Sequence, residues 1–309
     1  MAQPLRLAIV GLGKIARNQH VPSIAQTVGI ELAAIASRNA SWPGVPHFAT
    51  LDLLLRQAPE IDAVALCTPP RGRRAQAQAA LLAGKHVLLE KPPGATLSEL
   101  APLAELAREC GRTLFATWHS RFAPGVEAAR RLLAGLALRS VRVAWKEDVR
   151  TWNPGQAWIW EPGGLGVFDP GINALSILTR ILPRPLFVTG AELRFPHNRA
   201  TPIAAQVRLS DAAGLPVLVE LDWLQTGPQS WDIAIETDSG TVTLEQGGRR
   251  RLHGGQVLLD QEPAEYVGIY RRFVELIGAG SSDVDWSPMA LVADAFLLGE
   301  RHEVAAFHE

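Results

Sequence analysis

The sequence contains few cysteines and no excess of charge of either sign. Its two cysteines, Cys67 and Cys110, have neither metal-ligand spacing nor the number that a disulfide framework requires, so we expect no metal site and no disulfide scaffold. Thirty Lys and Arg residues against 31 Asp and Glu residues leave a net charge of −1, which gives no electrostatic basis for binding nucleic acid or anionic membranes. No apolar run reaches about 18 residues and the N-terminus lacks a signal-peptide pattern, so we expect a cytoplasmic protein without a membrane partner.

The length and composition are those of a two-domain globular protein. The chain has 309 residues, of which 47% are hydrophobic and 20% are charged. Single hydrophobic cores stop growing at about 250–300 residues, and the texture of this sequence changes after residue 121. We therefore predict a first domain over residues 1–121 and a second over residues 122–309.

A glycine fingerprint follows directly on the first predicted strand. Leu5–Val10 has a buried-strand pattern, and Gly11-Leu12-Gly13-Lys14-Ile15-Ala16 has the G-x-G-x-x-A spacing of dinucleotide-binding folds. Gly11 permits a tight turn, Gly13 lets the backbone approach a pyrophosphate, and the amides at the start of the next helix bind its charge. The fingerprint predicts a dinucleotide cofactor that is held in this loop by Gly11, Gly13, Lys14 and Ile15.

The second predicted strand ends in residues that suit a phosphate. Ile30–Ala36 is followed by Ser37 and Arg38, at the position where NAD enzymes usually carry an Asp or Glu for the ribose 2′-hydroxyl. A hydroxyl and a guanidinium fit a 2′-phosphate instead, so we predict NADP as the preferred cofactor and NAD as an alternative. An arginine that is simply solvated at the surface is the other interpretation of Arg38.

Two more loops of the first domain follow predicted strands. One follows Ile61–Cys67 and the other follows His86–Glu90. Because strands and helices alternate up to about residue 120, we predict a doubly wound parallel Rossmann sheet whose carboxyl edge binds the cofactor. Lys91 would then face the reactive end of the cofactor, where an ammonium can bind a substrate hydroxyl or stabilise an alkoxide; a surface lysine is the alternative. The loop residues predicted to contact the cofactor are Thr68, Pro69, Pro70, Glu90, Lys91 and Pro92.

After residue 121, predicted strands follow one another. This succession indicates an α+β domain that is built on a large, mostly antiparallel sheet and closed by a helix over Ser287–Leu298. Arg249-Arg250-Arg251 follows two glycines and is interpreted as an exposed turn. The predicted strands are Val141–Trp145, Phe187–Leu193, Ile203–Leu209, Val217–Trp223, Trp231–Thr237 and Thr241–Leu244.

A glycine-rich segment leads into a helix with two polar residues. Glu161–Gly166 contains three glycines, which would let the backbone lie close to a ligand. Asp169 and Asn173 are four residues apart and share a face if the first helical turn includes both. The carboxylate could take up a hydroxyl proton while the amide orients the same oxygen; a helix N-cap is the alternative for Asp169.

The fingerprint, the Glu90-Lys91-Pro92 loop and the Gly-Gly…Asp-Pro-Gly…Asn segment together resemble the Gfo/Idh/MocA oxidoreductases over essentially the whole chain. Within that family, Leu89–Ala95, Ala116–Ser120 and Trp158–Asn173 are similar to the bacterial enzymes that oxidise L-arabinose or D-galactose at C1. The resemblance implies that Lys91 and Asp169 handle the proton and that Asn173 binds a hydroxyl. Asn173 stands where the family commonly has a histidine, which places more of the proton transfer on the other two residues.

The tryptophan content of residues 118–160 fits a sugar substrate. Five of the nine tryptophans fall between residues 118 and 160, and an indole face suits the apolar C–H face of a pyranose. Each of these tryptophans could instead belong to the core, and each of the polar residues could face water. The residues predicted to bind the substrate are Lys91, His119, Glu147, Trp152, Asp169, Asn173 and Trp231.

The resemblance implies an NADP-dependent oxidation of the anomeric hydroxyl of an aldose, L-arabinose or D-galactose or both, to the aldonolactone. Lys91, Asp169 and Asn173 are the predicted catalytic residues, and no metal is expected. A dehydrogenase of the same family that acts on another sugar or an inositol is the first alternative, and a non-catalytic NADPH-binding regulator is the second. The sequence leaves the oligomeric state open, with a homodimer through the C-terminal sheet as one candidate.

Overall fold

Residues 3–309 are described by the computed structural model, in 15 strands and nine α-helices. The strands are β1 (Leu5–Val10), β2 (Ile30–Ala36), β3 (His47–Phe48), β4 (Ala63–Leu66), β5 (His86–Leu89), β6 (Leu114–Ala116), β7 (Leu138–Lys146), β8 (Leu186–Pro196), β9 (Ala204–Asp211), β10 (Val217–Asp222), β11 (Ser230–Thr237), β12 (Gly240–Glu245), β13 (Arg250–His253), β14 (Gln256–Asp260) and β15 (Gly299–Val304). The helices are α1 (Val21–Ala25), α2 (Leu51–Gln57), α3 (Arg73–Leu82), α4 (Leu100–Glu109), α5 (Val126–Leu133), α6 (Val149–Trp152), α7 (Phe168–Ile181), α8 (Glu265–Gly278) and α9 (Ser287–Leu298).

The chain divides into two compact units. One contains the chain up to His119 together with Tyr266–Trp286, and the other contains Ser120–Glu265 and Ser287–Glu309. The first change of unit lies close to residue 121, where the sequence analysis places its boundary. The predicted first domain ends at residue 121, whereas the first unit of the structure also contains Tyr266–Trp286, which include most of α8.

The first unit is built on a six-stranded parallel sheet in the order β3-β2-β1-β4-β5-β6. The last four residues of β1 and all four of β4 are buried, because central parallel strands have both faces covered. Since β1 pairs with both β2 and β4, the strand order reverses at β1, and the glycine fingerprint lies at its carboxyl end. The predicted Rossmann sheet is confirmed.

The helix that follows the fingerprint begins with a π-helical turn. Ala16–His20 forms this turn and continues directly into α1. Within the turn Ala16 and His20 are buried while the residues between them are exposed. The small side chain of Ala16 thus faces the core, and the imidazole of His20 is fully enclosed.

The second unit is built on a nine-stranded sheet in the order β14-β13-β12-β11-β7-β10-β9-β8-β15. Two pairs are parallel, β7 with β10 and β8 with β15, and the other pairs are antiparallel, so the predicted mostly antiparallel sheet is confirmed. The interpretation of Arg249–Arg251 as an exposed turn is wrong, because Arg250 and Arg251 lie in β13. Arg250 pairs with Glu245 and Asp260 on the neighbouring strands.

Two of the three glycines before α7 allow close backbone packing. A Cβ on Gly164 would lie 2.4 Å from the carbonyl oxygen of Trp158, and one on Gly166 would lie 2.3 Å from that of Pro202. At Gly164 and Gly166 the close approach is therefore of chain to chain, whereas a Cβ on Gly163 would have no atom within 4 Å, so the approach of a ligand there stays a prediction. Further along, a Cβ on Gly171 would lie 2.5 Å from the Leu221 side chain, so α7 packs closely on β10.

No helix among residues 3–309 combines the length and the apolar character needed to cross a bilayer.

Candidate active site

The carboxyl edge of the parallel sheet borders a cavity of about 620 Å³. Its walls come from the fingerprint loop and the ends of β2 and β4, which are neighbours of β1 in the sheet. Of the predicted cofactor-binding residues, seven line it: Gly11, Gly13, Lys14, Ser37, Arg38, Thr68 and Pro69. Ile15, Pro70, Glu90, Lys91 and Pro92 are not among its lining residues.

The two fingerprint glycines have different surroundings. Gly11 has a φ of +90°, and a Cβ there would lie 2.9 Å from Cγ2 of Thr68, so only glycine allows the two loops to meet. Its amide donates to the carbonyl oxygen of Ala36 at 2.8 Å, which ties the loop to the end of β2. A Cβ on Gly13 would have no atom within 4 Å, so open space lies beside this backbone. These features fit a dinucleotide whose pyrophosphate approaches Gly13.

The cavity carries positive charge. Lys14, Arg17 and Arg38 line it, and no carboxylate occurs among its lining residues in the described part of the chain. Arg17 was missed by the sequence analysis, although it follows Lys14 by three residues, a spacing that places two side chains on one face of a helix. The hydroxyl of Ser37 accepts the Leu12 amide at 3.4 Å, so it also supports the fingerprint loop. Further lining residues for which no cofactor contact was predicted include Asn39, Ala40, Thr50, Cys67 and Gln76.

Beside Lys91 lies a buried network of ionisable side chains. Glu90 Oε1 accepts hydrogen bonds from Tyr266 Oη at 2.7 Å and from His20 Nε2 at 3.1 Å. Its Oε2 accepts the backbone amide of Lys91 at 2.6 Å. On the other side of the imidazole, His20 Nδ1 lies 2.6 Å from Tyr270 Oη. Glu90 is engaged with these three donors and is not among the residues that line the cavity, so its role as a cofactor ligand stays a prediction.

The pKa values of His20 and Glu90 favour the charged form of both side chains. Burial alone would lower the pKa of His20, but the adjacent Cys67 sulfur and the Glu90 carboxylate raise it to about 10. Burial alone would raise the pKa of Glu90, but the hydrogen bond and charge of His20 lower it to about 2. The ring of His119 stacks on Tyr266 with centroids 5.4 Å apart, and its charge also lowers the pKa of Glu90. His119 thus joins the edge of this network.

The backbone around Lys91 is held by a buried guanidinium. Arg73, the first residue of α3, is 2% exposed. Its Nη1 donates to the carbonyl oxygens of Glu90 and Pro92, and its Nη2 donates to the carbonyl oxygen of Thr68. The Lys91-Pro92 peptide bond is cis. The loops that follow β4 and β5 are thereby joined through one side chain.

In the second unit, three predicted substrate-binding residues come together. The buried carboxylate of Glu147 accepts the indole N–H of Trp231 at 2.8 Å and that of Trp223 at 3.2 Å. Trp152 lies edge-on to Trp231 with ring centroids 5.3 Å apart and is 44% exposed. Trp152 therefore presents an aromatic surface to the outside, which suits a C–H face of a sugar. Trp160 is buried against Trp223 and Phe307, so it belongs to the core.

Asp169 and Asn173 lie in the first part of α7. The helix begins at Phe168 and its N-cap residue is Val167, so the N-cap interpretation of Asp169 is wrong. Asp169 is buried and Asn173 is half-buried. One helical turn separates them, so both project from the same side of α7. Of the seven residues predicted to bind the substrate, Lys91 and His119 belong to the first unit, and the other five belong to the second.

No group of three or more His, Cys, Asp or Glu side chains within residues 3–309 is arranged to hold a metal ion.

Comparisons with known proteins bear on the whole chain. Residues 5–117 match the family model described as "Oxidoreductase family, NAD-binding Rossmann fold" (Gfo/Idh/MocA). The galactose 1-dehydrogenase of Pseudomonas fluorescens is 48% identical over 310 residues, which cover 99% of this chain and 100% of that protein. A crystal structure of D-galactose-1-dehydrogenase from Rhizobium etli superposes with a TM-score of 0.96 at 56% identity, covering 100% of this chain and 99% of that one.

A more distant structure shares the fold. The 3-ketoreductase KijD10 of Actinomadura kijaniata, solved with NADP and TDP-benzene, has a TM-score of 0.84 at 19% identity and covers 98% of this chain. At that identity the likeness concerns the fold alone. The full-length similarity to the Pseudomonas protein, by contrast, extends over both units, and from it we conclude that the chain belongs to the Gfo/Idh/MocA family of oxidoreductases.

Proposed function

We propose that this protein oxidises the anomeric hydroxyl of D-galactose, and of L-arabinose, to the corresponding aldonolactone, with NADP⁺ preferred over NAD⁺. The observation that carries the proposal is the 48% identity to a galactose 1-dehydrogenase over the full length of both chains. L-Arabinose has the ring stereochemistry of D-galactose and lacks only the hydroxymethyl group. A pocket that binds the hexose can therefore accept the pentose.

The preference for NADP⁺ is supported by the charge of the cavity. Lys14, Arg17 and Arg38 line it without a lining carboxylate, and Arg38 follows the strand position at which NAD enzymes carry an acidic residue. A guanidinium can bind a phosphate through two parallel hydrogen bonds, which it cannot do with a neutral ribose hydroxyl. The same charges would bind the pyrophosphate of either cofactor, so NAD⁺ is retained as a weaker alternative.

The reaction removes a hydride from C1 and a proton from the C1 hydroxyl, and leaves a C1=O bond. The nicotinamide ring supplies the acceptor for the hydride when the cofactor is bound. Lys91 or Asp169 takes up the hydroxyl proton, and Asn173 binds the sugar hydroxyl by its amide. Trp152, held edge-on by Trp231, offers the aromatic surface for the apolar side of the pyranose.

The test is a steady-state comparison of galactose and arabinose with NAD⁺ and NADP⁺, followed at the absorbance band of the reduced cofactor. We expect turnover of both sugars and a higher kcat/KM with NADP⁺. Lys91→Ala and Asp169→Asn should bind NADP⁺ normally and lose about 10²–10⁴-fold in kcat, the usual range for a positioned proton acceptor. Absence of reduction with either sugar would overturn the proposal.

A further inference from the structure

The loop that carries Lys91 depends on a residue outside the predicted site. Arg73 donates to the carbonyl oxygens of Glu90 and Pro92, which lie immediately before and after Lys91. A third hydrogen bond, to the carbonyl oxygen of Thr68, connects this loop with the end of β4. The backbone on both sides of Lys91 is thus bound to one buried side chain.

The geometry requires a guanidinium. Removing a charged side chain from water costs several kcal/mol, so a buried arginine is retained only where strong hydrogen bonds compensate. The planar fork of Arg73 directs N–H groups of two different nitrogens at two loops, whereas the ammonium of a lysine donates from a single point. From the opposite side, Glu90 Oε2 accepts the amide of Lys91. Lys91 is therefore fixed through its own amide and through both flanking carbonyls.

We propose that Arg73 is a positioning residue for Lys91. It acts through the backbone of residues 90–92 and sets where the Lys91 ammonium stands relative to the reacting hydroxyl. This inference rests on the proposed function, in which Lys91 handles the proton of the sugar. Because a misplacement of about 1 Å costs on the order of 10²-fold in rate, loosening this loop should reduce kcat far more than it reduces cofactor affinity.

The first experiment measures the loop itself and needs no turnover. Pro92 and Pro93 have no amide hydrogen, so the Lys91 amide is the one that stands between those of Glu90 and Gly94, and residue-resolved hydrogen exchange follows it directly. We expect its amide to exchange slowly in the wild-type protein without cofactor and much faster in Arg73→Lys and Arg73→Gln. Arg74→Gln is the matched control, because Arg74 is the next residue of α3 and is exposed. Fast exchange in the wild type, or equal exchange in the Arg73 variants, overturns the proposal.

The second experiment is a double-mutant cycle on kcat with galactose and NADP⁺. Arg73→Lys or Arg73→Gln should lower kcat by about 10–100-fold when Lys91 is present, with the Kd of NADP⁺ changed by less than about 3-fold. In a Lys91→Met background the same substitutions should have little further effect, because the group that they misplace is absent. An equal loss in both backgrounds shows that Arg73 acts only on folding and overturns the positioning role.

The two experiments separate the inference from the proposed function. If wild-type protein reduces no cofactor with either sugar, the proposed function fails, while amide exchange still decides whether Arg73 holds the loop. If neither Arg73 variant folds, the wild-type protein decides: slow exchange of the Arg73 guanidinium protons, which donate to the three carbonyl oxygens, supports the inference and fast exchange refutes it. Arg74→Gln should match the wild type in exchange, in kcat and in Kd.

Discussion

Two buried charged residues with unlike partners flank Lys91. Glu90 is bound by the hydrogen-bond donors His20, Tyr266 and the Lys91 amide, so its charge is balanced within the first unit. Arg73 is bound by backbone carbonyls instead. Both side chains act on the same short loop, and both are held by atoms that come from distant parts of the sequence. We therefore expect a substitution of Glu90 or Arg73 to alter the conformation of the loop that carries Lys91.

Arg38 provides the test of cofactor preference at the residue scale. Arg38→Ala should weaken NADP⁺ binding by about 1.5–3 kcal/mol, the typical contribution of a hydrogen bond to a charged group, and should spare NAD⁺. The measurement is the Kd of each cofactor. Arg56→Ala, at an exposed position at the end of α2, is the control for loss of one positive charge. Equal losses with NADP⁺ and NAD⁺ would remove Arg38 from the phosphate site.

Glu147 is the second test at this scale. Both of its carboxylate oxygens accept indole N–H groups, whereas a glutamine offers one acceptor and would place an N–H₂ group against the other indole. Glu147→Gln should lower the free energy of unfolding by about 1–3 kcal/mol and change the near-ultraviolet circular dichroism of the tryptophans.

Urea unfolding measures the stability change. Glu220→Gln is the control, because this half-exposed carboxylate on β10 pairs only loosely with Lys146, at 3.5 Å, and should change stability by less than about 0.5 kcal/mol. Stability and spectra that are unchanged in Glu147→Gln would show that the two indole contacts do not hold this carboxylate.

At the scale of elements, the approach to α7 is determined by close backbone packing. Gly163 and Gly166 both have positive φ, +93° and +55°, but only Gly166 is crowded. Gly163→Ala should therefore cost only the backbone term, about 1–2 kcal/mol. Gly166→Ala should cost clearly more, because its Cβ would lie 2.3 Å from the carbonyl oxygen of Pro202. Thermal unfolding of the pair tests this order, and similar losses in both variants would contradict it.

Helix α8 is the element that the predicted first domain does not include. It lies far along the chain from the parallel sheet, yet Tyr266 and Tyr270 bind Glu90 and His20 inside the first unit. A local sequence pattern does not predict which distant residues a tyrosine hydroxyl will bind. The predicted boundary at residue 121 therefore includes the whole parallel sheet and excludes the helix that completes its buried network.

At the scale of the whole molecule, the His20–Glu90 pair makes stability depend on pH. The pKa of His20 is about 10 in the folded protein against 6.5 ordinarily, so its contribution is complete below pH 6.5 and is lost as the pH rises through about 10. The pKa of Glu90 is about 2 against 4.5 ordinarily, so its contribution is complete above pH 4.5 and is lost as the pH falls through about 2. The pair therefore stabilises the protein most between these limits, from pH 4.5 to 6.5.

The pH dependence can be measured with His20→Gln, which removes the titrating imidazole. The difference in unfolding free energy between wild type and variant should be largest near pH 6 and shrink above it, with a slope of up to about 1.4 kcal/mol per pH unit. A difference that stays constant from about pH 6 to about pH 9 would show that His20 is not charged in the folded protein.

The oligomeric state is also a property of the whole molecule. Sedimentation of the wild-type protein tests whether it forms the homodimer through the C-terminal sheet.

The sequence by itself determined the elements and the chemistry that depend on local pattern. Runs of mostly apolar residues identified β1, β2 and β4, because strands inside a parallel sheet have most of both faces covered. The spacing of Gly11 and Gly13 identified the dinucleotide loop, in which the backbone at Gly11 has a positive φ and no room for a Cβ, while open space lies beside Gly13. Family resemblance, carried by short motifs, named Lys91, Asp169 and Asn173 as residues of interest.

Only the tertiary structure decided which side chains meet. The Glu147 carboxylate follows β7, and the two indoles that it binds, those of Trp223 and Trp231, come from the end of β10 and from β11. Their hydrogen bonds therefore depend on the register of the sheet. Arg73 has the sequence surroundings of a solvated helix residue, yet it is buried and binds two loops. Hydrogen bonds between distant residues arise from packing and leave no periodic signal, so the loop motif was evident in the sequence and its support was not.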